Sequence, residues 1–109
     1  MLLSSSPFAF GRMSRVSEED AVRLTAWVHG RVHGVGFRWW ARARALESGL
    51  VGAATNLRDG RVEVVAEGPR SDCERLLGLL RSGNTPGTVT AVVERWSAAR
   101  GGLTTFVER

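Results

Sequence analysis

The chain has 109 residues and a formal net charge of +4, and all fifteen of its basic residues are arginine. Without lysine there is neither a P-loop lysine nor a Schiff-base lysine, and no apolar run approaches the roughly 18 residues that cross a bilayer. The single cysteine, Cys73, excludes an internal disulfide and a cysteine-rich metal site and fits a reducing, cytoplasmic compartment.

Residues 1–20 lack the basic start and sustained apolar run of a secretory signal. They read as a flexible N-terminal extension to one domain over residues 21–109. Their serines and the absence of acid before Glu18 also fit a transit peptide, with Met13 as a second possible start. From Val22 to His29 apolar residues alternate with polar ones or tryptophan, with Val22, Leu24, Ala26 and Val28 on one side, which predicts a half-buried strand.

Gly30-Arg31-Val32-His33-Gly34-Val35-Gly36-Phe37-Arg38 then links that strand to a helical pattern. Glycines let backbone N–H groups turn toward a ligand, and the first amides of a helix have no internal partners and lie at the positive end of its dipole. A cation in the first helical turn is locally unfavourable. Arg38 is therefore misplaced for stability but well placed for an anion that a guanidinium can grip with paired hydrogen bonds. A tight strand-to-helix turn is the competing reading of the glycines, but it does not call for Arg38.

Phe37 to Ser48 predicts a helix ended by Gly49, with Phe37, Trp40, Ala41, Arg44 and Ala45 at helical spacing and a second stripe of Trp39, Ala43 and Leu46. Leu50 to Leu57 and Arg61 to Glu67 flank an Asp59-Gly60 pair, which signals an antiparallel hairpin. Ser71 to Glu74 has the pattern of a capping box, and Cys73, Leu76, Leu77 and Leu80 mark the apolar face of a second helix. Thr88 to Trp96 and Leu103 to Val107 read as the last strands. This order predicts an α+β, ferredoxin-like βαββαβ sandwich: a mostly antiparallel four-stranded sheet, two helices on one face and a short extra C-terminal strand.

Several chemistries do not fit the loop. Its spacing matches neither a P-loop nor a dinucleotide fingerprint, and a thiol-dependent phosphatase would need cysteine where Val32 stands. His29 and His33 lie on a strand and a loop with no cysteine or paired carboxylates nearby, so no metal or other cofactor is expected. Cys73, on an apolar stripe, reads as a small core residue. Asn56 is unusual near the end of a strand and is either a turn former or a functional amide.

Gly30-x-Val32-x-Gly34-Val35-Gly36-Phe37-Arg38, with Asn56-x-x-Asp59-Gly60 and Val62-x-Val64, resembles the acylphosphatase family. The likeness runs from Arg23 to Val107 through Gly49-Leu50-Val51-Gly52, Glu67-Gly68-Pro69 and Thr105-Phe106. It implies hydrolysis of a small-molecule acyl phosphate. By the same resemblance Arg38 and Asn56 are catalytic, the phosphoryl group is held by His33, Gly34, Val35, Gly36, Phe37 and Arg38, and Asn56 orients the attacking water. His33 stands where the family most often has glutamine. A monomer with no nucleic-acid or membrane partner is expected. The alternatives are a non-catalytic phosphate-ligand module and an RNA-binding module, the latter disfavoured because Arg61 to Glu67 has no aromatic residue on which bases could stack.

Overall fold

A computed structural model describes residues 20–109, and the expected N-terminal extension lies outside the described residues except for Asp20. The chain runs through β1 (Ala21–Arg31), α1 (Phe37–Glu47), β2 (Val51–Asn56), β3 (Val62–Pro69), α2 (Arg70–Leu80), β4 (Thr88–Ala98) and β5 (Phe106–Glu108). These strands form one sheet in the order β4-β1-β3-β2-β5. β1 is antiparallel to β3 and β4, β2 is antiparallel to β3, and β5 joins β2 in parallel. The architecture is the expected ferredoxin-like α+β sandwich, with the extra strand making the sheet five-stranded and mixed.

The period-two pattern decides which face meets the helices. Leu24, Ala26 and Val28 of β1, Ala54 of β2, Val62, Val64 and Ala66 of β3 and Phe106 of β5 are buried in one core with residues from both helices. From α1 come Phe37, Ala41 and Ala45, one turn apart, and the two small alanines let the helix lie close to the sheet. Its second stripe faces solvent, with Trp39 59% and Leu46 41% exposed. Cys73, Leu76, Leu77 and Leu80 of α2 fill the other half of the core, as their spacing predicts. Each fully buried leucine or phenylalanine contributes roughly 1.5–3 kcal/mol by leaving water.

The capping box does not form. α2 begins at Arg70 behind Pro69 (φ −57°, ψ 142°), and no side chain caps it. Proline holds the chain extended up to the helix start, so Ser71 already lies inside the first turn. Asp72 instead places a negative charge at the helix N-terminus.

β1 continues past the predicted His29 through an irregularity between His29 and Gly30 in its pairing with β4. A Cβ on Gly30 would lie 2.0 Å from the Thr88 carbonyl oxygen, so this glycine serves close strand packing. At the other end of the sheet, Glu67 is only 4% exposed on the face away from the helices. It accepts hydrogen bonds from Arg23 Nε (2.7 Å), the Arg100 amide (2.9 Å) and the Gly101 amide (3.1 Å). The segment from β4 must cross the sheet to reach the opposite edge, and Glu67 fastens it midway. β5 then seats along β2, with Gly52 N–H donating to Thr105 (2.9 Å) and Arg109 N–H to Ala54 (2.8 Å).

Candidate active site

The loop between β1 and α1 turns through Gly34 (φ 71°) and Gly36 (φ 82°), both left-handed, with open space where a Cβ would stand. Here glycine serves conformation, because other residues adopt this region only at a cost. His33, Gly34, Val35 and Gly36 are exposed. Gly36 is the N-cap of α1, no side chain caps it and its first turn contains no acid. The first backbone bond of the helix runs from Trp40 N–H to the Gly36 oxygen (3.0 Å). Among the described residues no backbone carbonyl accepts from the amides of Gly34 through Trp39. Unpaired donors thus gather at the positive end of a helix, an arrangement suited to an oxyanion. Phe37 is 1% exposed, so its ring anchors the helix in the core and only its amide can serve a ligand.

The loop is buttressed from behind by Gly87, which precedes β4. A Cβ there would sit 2.1 Å from the Arg31 carbonyl oxygen and 2.9 Å from Val35 Cγ2. Together Gly30 and Gly87 bring the start of β4 against the backbone leading into the loop.

Sheet register brings Asn56 toward this loop. Val28, near the end of β1, pairs with Val62, which pairs with Asn56, so the three lie in one row across neighbouring strands. Asn56 Oδ1 is buried and has no hydrogen-bond partner among the described residues. Leaving such an atom unpaired costs about 1–3 kcal/mol, and persistent cases mark places where a ligand or water supplies the missing bond.

One main-chain oxygen joins the two candidate catalytic residues. The Arg109 oxygen accepts from Arg38 Nη1 (2.6 Å) and from the main-chain N–H of Asn56 (3.1 Å). Arg38 is thereby aligned with the end of β2 while the rest of its guanidinium fork stays available. A neighbouring arginine, Arg42, ties α1 to β5 by donating from Nε to the Phe106 oxygen (3.1 Å). No sequence signal marks Arg109, because its contribution is a main-chain atom placed by the parallel pairing of β5.

Beyond Asn56, the turn is closed by the Leu57 amide donating to the Arg61 oxygen (2.9 Å) and the Gly60 amide to Leu57 (3.1 Å). His33 Nε2 lies 3.0 Å from that same Arg61 oxygen. Asp59 accepts from the Arg61 amide (3.1 Å) and guanidinium (2.9 Å). The Arg61 amide, aided by its guanidinium, holds the Asp59 carboxyl below its ordinary value. Asp59 is committed to the turn.

Cys73 is fully buried, and burial pushes its thiol up to about 11, so a thiolate nucleophile is not available there. Among the described residues no group of three or more His, Cys, Asp or Glu side chains is arranged to hold a metal ion. No helix among them is long and apolar enough to cross a membrane.

A ferredoxin-like sheet carrying a loop of unpaired amides beside an arginine, with the unpaired buried Oδ1 of Asn56 nearby, defines an α+β protein with a candidate oxyanion site. Comparison with known proteins narrows that class. The sequence model described as acylphosphatase matches residues 24–107. The chain is 69% identical over 94 residues to an acylphosphatase of Saccharopolyspora erythraea, covering 86% of this chain and 99% of that protein. It is 73% identical over 90 residues to an acylphosphatase of Thermobifida fusca, covering 83% and 99%. The crystal structure of acylphosphatase from Bacillus subtilis is similar at a TM-score of 0.76 and 31% identity, over 81% of this chain and 98% of the other. This chain belongs to the acylphosphatase family.

Proposed function

We propose that the protein hydrolyses the carboxyl–phosphate anhydride of small acyl phosphates, giving a carboxylate and inorganic phosphate. Family membership supports the reaction. The observation that carries the residue assignment is the buried, unpartnered Oδ1 of Asn56, a residue whose main-chain N–H shares the Arg109 oxygen with Arg38.

In an acyl phosphate the acyl group departs from phosphorus as a carboxylate, already a good leaving group, so strong acid catalysis is unnecessary. The remaining tasks are to gather the charge on the phosphoryl oxygens and to place a water in line with the departing oxygen. Arg38 and the amides of His33, Gly34, Val35, Gly36 and Phe37 perform the first. Asn56 performs the second, its Oδ1 accepting a hydrogen from the water and thereby aiming an oxygen lone pair at phosphorus. As the water attacks, the P–O bond to the acyl group breaks and its electron pair leaves on the carboxylate. The proton lost by the water passes to a phosphoryl oxygen, so no catalytic carboxylate is required. The reading extends to a monomeric cytoplasmic enzyme that needs no cofactor.

The open face of the sheet does not favour RNA. Its Trp27 donates Nε1–H to Glu63 (3.0 Å), which places a carboxylate where bases would stack.

The test is a rate comparison of benzoyl, acetyl and carbamoyl phosphate with phosphate monoesters. All three acyl phosphates should turn over, with monoesters far slower. A preference for monoesters would overturn the proposal.

A further inference from the structure

The two halves of the proposed site stand on different elements, the cradle between β1 and α1 and the water-holding amide at the end of β2. Two hydrogen-bonded routes connect them. One is the Arg109 oxygen, which accepts from Arg38 Nη1 and from the main-chain N–H of Asn56. The other is the His33 ring, whose Nε2 meets the Arg61 oxygen at 3.0 Å. That oxygen also accepts from Leu57 N–H at 2.9 Å, the bond that closes the turn directly after Asn56.

A carbonyl oxygen has two lone pairs, so both donors are accommodated. Because a carbonyl only accepts, Nε2 carries the hydrogen of this bond. Nε2 is therefore committed to the turn rather than to a bound anion. Gly34, with its left-handed backbone and open surroundings, follows immediately and leaves the loop little local stiffness of its own.

We infer that His33 is a positioning residue whose imidazole latches the phosphate loop to the Asn56 turn and so sets the distance from attacking water to phosphorus. This inference rests on the role given to Asn56 above. Without the latch each half survives: the loop amides and Arg38 still bind phosphate, and Asn56 still holds water. Their mutual alignment suffers, and in-line reactions are sensitive to misplacement, about 1 Å costing on the order of a hundredfold. Loss of the ring should lower kcat and spare phosphate affinity. Glutamine, whose amide N–H can donate to the same carbonyl, should substitute for it.

The experiment measures kcat and KM on benzoyl phosphate and inhibition by inorganic phosphate for wild type, His33→Ala and His33→Gln. Both variants are also made in an Asn56→Ala background. The expected result is a kcat loss of about tenfold or more in His33→Ala, with the phosphate inhibition constant within about twofold of wild type. His33→Gln should recover most of the loss. In the Asn56→Ala background, adding His33→Ala should change the residual rate by less than about twofold, because the latch then has nothing to align.

Wild-type kcat in His33→Ala, equal impairment of the alanine and glutamine variants, or an undiminished loss without Asn56 would each overturn the latch. So would a change in phosphate affinity that parallels kcat, which would place the ring on the anion itself. An active wild type with an unaffected His33→Ala contradicts the latch alone, whereas a wild type inactive on acyl phosphates takes down the functional proposal and the latch with it.

Discussion

Glu67→Gln tests how the fold carries β5 to the site. The carboxylate is 4% exposed and accepts three hydrogen bonds, from Arg23, Arg100 and Gly101. Bonds to a charged group contribute about 1.5–3 kcal/mol each. The amide keeps one oxygen but turns an NH2 toward a donor, and Arg23, whose side chain is 15% exposed, loses its counter-charge. Relief of carboxylate desolvation offsets part of this loss. The expected net cost is about 2–3 kcal/mol at neutral pH, or roughly 10–20 °C in Tm for a domain of this size.

The pH dependence fixes the cause. Burial pushes the Glu67 carboxyl up, but the Arg100 amide, the Arg23 guanidinium and the Gly101 amide outweigh it and hold the group below its ordinary value. A carboxyl lowered in the folded state contributes stability that is present above its unfolded value, about 4.3, and is lost as pH falls through the folded value. The gap between wild type and Glu67→Gln should therefore narrow as pH falls below that range. Urea unfolding followed by tryptophan fluorescence, at neutral and acid pH, measures it. A gap below about 0.5 kcal/mol at neutral pH, or one unchanged in acid, would refute the reasoning.

Gly87→Ala should strain a left-handed residue and press a methyl group into the Arg31 carbonyl behind the loop, costing about 2 kcal/mol or more and weakening phosphate inhibition. Unchanged inhibition by phosphate would show that this contact does not shape the cradle. Cys73, with its thiol pushed up to about 11 by burial, should resist iodoacetamide at pH 8 in the native protein. Cys73→Ala should keep wild-type kcat while losing about 1–2 kcal/mol of stability, and a large kcat loss in that variant would contradict a purely structural role.

Those features of the fold that depend on local pattern were legible in the sequence. The period-two run from Val22, the leucine stripe of α2 and the Asp59-Gly60 turn all stand where they are expected, because each is decided by residues close together in the chain. Gly30 shows the limit of reading a loop by composition. It looks like part of the anion cradle but is required by Thr88, a contact made only when β4 returns to pair with β1. The capping box failed because Pro69 starts the helix one residue before Ser71.

Arg38 and Asn56 stood out as residue types unsuited to their local positions, and in the fold both donate to one oxygen. That oxygen, the Arg61 carbonyl beneath His33 and the Glu67 fastening are long-range and partly main-chain. No side-chain pattern announces them. They depend on the parallel docking of β5 and on a hairpin register that emerges only when the sheet assembles.

The central claim divides the site into an anion holder and a water holder, and kinetics of Arg38→Ala and Asn56→Ala on benzoyl phosphate test it most directly. Arg38→Ala should lose both phosphate inhibition and turnover. Asn56→Ala should lose turnover by about a hundredfold or more, while its phosphate inhibition constant stays within about twofold of wild type. Wild-type turnover in either variant, or loss of phosphate affinity in Asn56→Ala equal to that in Arg38→Ala, would contradict the account.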